Sequence, residues 1–233
     1  MSSRSPSPEF SPLAIGEDLT PLPQYKAAST TTIDFSNLLE TPLKLHEDLT
    51  SGCGGQLWPA GMVLGHHMLR YHGESLRNAR ILELGAGGGL VGLGVALKFK
   101  LDHPIYISDQ ENMIDLMRKN ITLNGLESRV KELVLSWGGP LPAEVLKEKP
   151  NIILAADCVY FEPAFPLLLA TLEELLDLCK EAVIYFCFKK RRKADMHFIK
   201  NAKKKFIVEE LEDEDRQTFS REALFLYTFK RKQ

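Results

Sequence analysis

The chain has 233 residues, 44% hydrophobic and 26% charged, and its 29 Lys and Arg against 31 Asp and Glu leave a net charge of −2. That balance argues against binding nucleic acid by bulk electrostatics, which needs a basic excess to release counterions, and the apolar content argues against wholesale disorder. At about 150 residues per domain, the length predicts one sizeable domain with additions, able to fold without staples. No apolar run reaches the roughly 18 residues of a transmembrane helix, so no membrane partner is expected. The start, MSSRSPSPEFSP, lacks the apolar stretch of a secretory signal. Cys53, Cys158, Cys179 and Cys187 show no CxxC spacing. This disfavours a zinc site or a disulfide framework and suits reduced thiols in the cytoplasm.

Six of the 13 prolines precede residue 50, and residues 1–28 are Ser/Pro-rich with no periodic apolar face, so they are expected to be mobile. Residues 29–56 predict a hairpin, 31–35 against 43–46, followed by a flexible Gly-rich loop at 51–55. From 57 to 233 the chain reads as one compact unit. Strands are predicted at 80–84, 104–108, 130–135, 151–155 and 182–188, alternating with helices at 90–99, about 113–123, 165–178 and 196–204. Two further strands, 206–208 and 223–229, close the chain. The expected fold is α/β: a Rossmann-like sheet of seven strands with helices on both faces, binding its ligand at the carboxyl ends of the strands.

The residues with chemical interest all fall at such ends. Gly85-Ala86-Gly87-Gly88-Gly89 separates the first of these strands from a helix, where glycines let a ligand approach the backbone and the helix N–H groups. Glu83 sets a carboxylate beside that turn, which repels a pyrophosphate and suits a ligand carrying a cation, such as S-adenosylmethionine. Asp109 ends the next strand and suits a pair of ribose hydroxyls, with a helix cap as the plainer role. Trp137 is placed to stack on an adenine. Trp58 precedes a helix whose first residue is Pro59. Asp157 and Tyr160 follow the fourth strand and can face one pocket, offering an acceptor and a phenol to an incoming amine. The basic run 189–193 has the composition of an import signal or phosphate patch, but is read as a solvated loop and helix start. The acidic run 209–215 is read as a solvated connection, and no histidine pair has metal-ligand spacing.

Taken in order, Leu57-Trp58-Pro59-Ala60-Gly61, Ile81-Leu82-Glu83-Leu84-Gly85-Ala86-Gly87, Asp109, Ser136-Trp137-Gly138 and Asp157-Cys158-Val159-Tyr160 resemble the seven-stranded, S-adenosylmethionine-dependent protein-lysine methyltransferases with an Asp-x-x-Tyr motif. The resemblance runs from about residue 57 to the C-terminus. The length and Ser/Pro-rich leader are most similar to fungal members acting on translation elongation factor 1-alpha. It implies cofactor contacts at Trp58, Gly85, Ala86, Gly87, Asp109, Trp137 and Ala156. For chemistry it implies Asp157 as the acceptor that positions the substrate amine and Tyr160 as the wall of its slot. The implied partner is a protein, with no nucleic acid, and the enzyme a cytoplasmic monomer. Gly88 departs from the Thr or Cys common in relatives, and a third consecutive glycine predicts a looser turn. Three rivals stand beside this reading. An N6-adenine or amide-nitrogen methyltransferase expects two prolines where Cys158 and Val159 stand. A nicotinamide dehydrogenase is disfavoured by Glu83. A catalytically silent binding module would bind neither cofactor.

Overall fold

The computed structural model describes residues 27–51 and 53–232. Nearly all of the leader expected to be mobile therefore lies outside the described residues. Strand β1 (Ser29–Ile33) pairs antiparallel with β2 (Leu43–Glu47), in register from Ser29 opposite Glu47 to Ile33 opposite Leu43. The first strand ends two residues earlier than the alternation predicts. Phe35, Ser36 and Asn37 turn the chain with φ of 50°, 57° and 66°, so Phe35 leaves the hairpin and is buried in the core. The predicted flexible loop forms two short 3-10 turns, Leu49–Ser51 and Cys53–Gly55.

Helix α1 (Pro59–Tyr71) leads into β3 (Ile81–Leu84), α2 (Leu90–Lys98), β4 (Ile105–Asp109), α3 (Ile114–Leu123), β5 (Val130–Val134), α4 (Ala143–Glu148), β6 (Ile152–Ala156), α5 (Phe165–Leu178), β7 (Val183–Lys189), α6 (Lys193–Lys205), β8 (Phe206–Glu210), α7 (Arg216–Arg221) and β9 (Leu224–Arg231). The sheet has seven strands in the order β5-β4-β3-β6-β7-β9-β8. Strands β3 to β7 are parallel, while β9 runs antiparallel to both β7 and β8. Strand β3 is buried on both faces, as a central parallel strand must be. Its Ile81 joins the core under α1, α2 and α3, and Leu82 and Leu84 join the core under α5 and α6. The chain moves to opposite sides of β3 for β4 and β6, which opens a crevice at the carboxyl ends of those strands. Helices α4 and α7 were not expected. Each is six residues long with one buried side chain, Val145 or Phe219, too few to reveal a helical period.

The hairpin is fastened to the sheet domain by two amides one turn apart on α3. Asn120 accepts the His46 N–H at 2.7 Å and donates to the carbonyls of His46 and Gly88. Asn124 accepts the Lys44 N–H and donates back to its carbonyl. The acidic run is not simply solvated. Glu209 and Glu210 complete β8, and Asp213, its side chain 3% exposed, pairs with His67 Nδ1 at 2.8 Å. His66, its neighbour, turns the other way, to the Met62 carbonyl and Ser36.

Candidate active site

The turn between β3 and α2 is tied down rather than loose. Ala86 N–H donates to the Ser108 carbonyl, Gly87 N–H to Asp109 Oδ2 at 2.8 Å, and the Gly88 carbonyl accepts from Asn120. Gly87 has a φ of 55°, and a Cβ there would sit 2.3 Å from the Gly54 carbonyl oxygen. Only glycine meets both conditions. The Gly-rich segment expected to be a free loop thus packs onto the turn through Gly54. No sequence signal could have shown this contact, because α1 and β3 separate the two stretches in the chain.

Glu83 is 3% exposed. Its carboxylate receives the N–H of Gly92 at 2.8 Å and that of Val91, so it caps α2 as well as contributing to the cleft. That second role was missed. The sequence showed only the need: α2 opens on Gly89, which has no side chain to accept the orphan amides of a helix start, and which carboxylate meets it depends on how the turn closes. Gly92 makes the approach possible, since a Cβ there would lie 2.7 Å from Glu83 Oε2. Burial, against the pull of those amides, pushes the Glu83 carboxyl up to about 8.

Asp109 holds Gly87 N–H with Oδ2 and Gln110 N–H with Oδ1 at 2.7 Å. Burial raises its pKa, opposed by these two bonds. The plainer role considered above, a helix cap, is not what the geometry shows. The 3-10 turn Glu111–Met113 that follows has Gln110 at its N-cap position, and Asp109 instead steadies the glycine turn across the sheet.

Asp157 sits just past β6 with φ of 56°, a left-handed backbone that Asp tolerates better than most residues. Its N–H donates to the Cys187 carbonyl at 2.8 Å. Its side chain is 4% exposed and is gripped by Arg191 from both nitrogens, Nη1 to Oδ1 at 2.9 Å and Nη2 to Oδ2 at 2.8 Å. Lys189 N–H adds a third donor, to Oδ1 at 3.2 Å. Arg191 also lies over the Trp58 ring, 5.3 Å from its centroid. The hydrogen bond to Asp157 holds the Arg191 guanidinium above its usual range. The basic run therefore does not form a wholly solvated loop: Arg191 reaches into the site, and Arg192 pairs with the buried Asp195. Neither contact is written in a run of like charges. Tyr160 stands at the mouth of the cleft, 47% exposed.

All ten candidate residues line one cleft of about 460 Å³: Trp58, Glu83, Gly85, Ala86, Gly87, Asp109, Trp137, Ala156, Asp157 and Tyr160. Pockets of ~300–1,000 Å³ suit a ligand of cofactor size. The donor set fits S-adenosylmethionine. The Asp109 carboxylate favours a cationic ligand, Glu83, mostly protonated at neutral pH, adds a polar wall that a nearby cation would help to ionise, and among the described residues the one guanidinium lining the cleft is committed to Asp157. That set is hostile to a pyrophosphate. Trp137 comes so close to Gly85 that a Cβ there would lie 3.1 Å from its ring, which sets a flat apolar surface against the turn. Among the described residues, no group of three or more His, Cys, Asp or Glu is gathered to hold a metal, and no helix is long and apolar enough to cross a membrane.

Comparison with known proteins agrees with this geometry. The profile of a family described as lysine methyltransferase matches residues 37–205. The chain is 36% identical over 219 residues to the protein-lysine N-methyltransferase EFM6 of Saccharomyces cerevisiae, covering 85% of this chain and 89% of that one. It is 27% identical over 175 residues to the EEF1A lysine methyltransferase 3 of Xenopus tropicalis, 74% of each chain. Its fold is similar to that of the METTL16 methyltransferase domain, with a TM-score of 0.53, 14% identity and coverage of 76% and 84% of the two chains. The chain belongs to the lysine methyltransferase family and is an S-adenosylmethionine-dependent enzyme whose substrate is a protein.

Proposed function

We propose that this enzyme methylates a lysine of translation elongation factor 1-alpha, as a cytoplasmic monomer and without help from nucleic acid. The substrate assignment is supported by the similarity to a relative named for that factor. In this reading, Trp58, Gly85, Ala86, Gly87, Asp109, Trp137 and Ala156 hold the cofactor, with Glu83 behind them. S-adenosylmethionine, when bound, supplies an electrophilic methyl group on a sulfonium. The chain's own task is to present a lysine nitrogen with a free lone pair. A lysine of pKa about 10.4 is neutral in roughly one molecule in a thousand near pH 7, an uncompensated cost of about 4–5 kcal/mol. Asp157 accepts an N–H of the amine and so aims its lone pair, which is catalysis by positioning. Tyr160 forms the wall of the slot.

The observation that carries the reading is the placement of Asp157, a buried carboxylate lining the cleft, beside the half-exposed ring of Tyr160. A protein surface can reach that ring, while solvent has little access to the carboxylate. The test uses elongation factor 1-alpha made in bacteria, incubated with enzyme and S-adenosylmethionine and digested for mass spectrometry. Methyl groups on one lysine are expected. Labelling of a different protein in a cell lysate, with none on this factor, would reassign the substrate. Asp157→Asn should bind the cofactor normally and lose most of its turnover, and the deficit should persist at high pH. Tyr160→Phe should be milder, since the ring remains. Full activity in Asp157→Asn would remove that carboxylate from the mechanism.

A further inference from the structure

From the doubly bonded pair lining the cleft, we infer that Arg191 is a positioning residue that makes the site select the neutral amine of a lysine over its ammonium. The inference rests on Asp157 being the amine acceptor. A carboxylate offers roughly four acceptor positions. Arg191 Nη1 and the Lys189 N–H use Oδ1, and Arg191 Nη2 uses Oδ2. About one position is left, on Oδ2. An ammonium brings three N–H groups and a full charge. It would find one acceptor and a guanidinium already neutralising the carboxylate. An amine brings two N–H groups and a lone pair, so one donated bond to Oδ2 leaves the lone pair free. A lone carboxylate would do the opposite and hold the protonated lysine, the form that cannot react. The bidentate fork and the Trp58 face fix the guanidinium from two sides.

The surrounding charges do not replace this effect. Cys158 beside Asp157 and Cys187 on β7 are buried thiols held protonated by burial. Asp195 on α6 is 0% exposed and accepts the N–H groups of Arg191 and Arg192 at 2.7 and 2.8 Å. Across the cleft, Asp109 is bound to backbone amides. Burial pushes the Glu83 carboxyl up to about 8, and the groups that shift it are the Gly92 and Val91 amides and Asp109, not Arg191.

The test is a calorimetric titration of the S-adenosylhomocysteine-loaded enzyme with n-butylamine, a lysine side chain without its backbone, between pH 7 and 9. In the wild type the competent amine fraction rises about tenfold per pH unit, and apparent affinity should rise with it. In Arg191→Ala the ammonium binds too, and affinity should become nearly independent of pH. Arg191→Lys keeps the charge without the fork, so it should retain the wild-type slope with weaker binding, which guards against a misfolded Ala variant. A flat wild-type profile, or an equal slope in wild type and Arg191→Ala, overturns the inference. So does tighter binding in Arg191→Ala at every pH with the slope unchanged, since that would make the arginine merely an obstruction. Asp157→Asn separates the two levels of argument: if it binds butylamine like the wild type, or if no protein binds it, then Asp157 is not the amine site and the reading beneath this inference fails.

Discussion

Asp109 already serves two backbone amides, Gly87 N–H and Gln110 N–H, and its remaining lone pairs are the ones available to a ribose. Removing it should therefore act twice, by deleting hydrogen bonds to the cofactor and by releasing the glycine turn. Bonds to a charged acceptor contribute about 1.5–3 kcal/mol, so Asp109→Ala should weaken S-adenosylmethionine by roughly 10- to 150-fold. Titration calorimetry alongside thermal melting distinguishes the outcomes. A melting temperature that collapses while affinity per folded molecule is unchanged would leave Asp109 a purely structural residue. The residue scale is also where sequence reading fell shortest. Glu83 and Asp109 were legible as carboxylates at strand ends, but the amides they receive were not, because hydrogen-bond partners depend on how the turn closes.

Between elements, the most consequential joint is the seat of Phe35 between α1 and α2. A Cβ on Gly65 would lie 2.3 Å from the Phe35 ring and one on Gly94 3.0 Å from it. Helix-interior glycine costs roughly 1 kcal/mol in propensity, and here it gives a large ring its place in the core. Phe35→Ala should destabilise the fold by about 3–5 kcal/mol, readable by denaturant unfolding. A loss below the uncertainty of that measurement would mean the hairpin does not contribute to the cooperative core. Asn120 is the polar counterpart. Asn120→Ala strands the His46 N–H and the Gly88 carbonyl, each unmet group costing about 1–3 kcal/mol. Amide hydrogen exchange should then rise selectively in β2 and in the 85–89 turn. Uniform protection in both segments would show that the clamp is redundant.

At the scale of the whole molecule, a half-buried histidine and a buried glutamate set opposing pH dependences. Burial holds His72 down at about 4 against its ordinary 6.5. Between these values the unfolded chain binds more protons, so this group makes stability rise with pH. Burial holds Glu83 up at about 8 against 4.5, so between these values the folded chain binds more protons and stability falls with pH. The two slopes oppose one another between 4.5 and 6.5. His67, lowered by burial, adds to the rise, and Asp109, raised by burial, adds to the fall; above 6.5 neither histidine opposes Glu83. Cofactor-free protein should lose about 2 kcal/mol between pH 6.5 and 8 at ~1.36 kcal/mol per unit, which lowers the melting temperature by roughly 4–8 °C. Glu83→Gln should abolish that decline. An undiminished decline in the variant would assign it to another group.

The strand–helix alternation, the parallel core with its two closing strands and the choice of ten candidate residues that line one cleft were determined by the sequence alone. Apolar runs at strand length, a glycine cluster and carboxylates at strand ends are local signals, and the parallel sheet leaves few ways to arrange them. The tertiary structure alone decided what those carboxylates face. The capping of α2 by Glu83 joins residues nine positions apart, the seating of Gly54 on Gly87 spans α1 and β3, and the pairing of Arg191 with Asp157 crosses 34 positions. A run such as Lys189-Lys190-Arg191-Arg192-Lys193 gives five residues one local description. Which of them turns inward depends on where β7 ends against β6, because the register of Ala156 opposite Cys187 brings the next carboxylate and the loop guanidinium to the same end of the sheet.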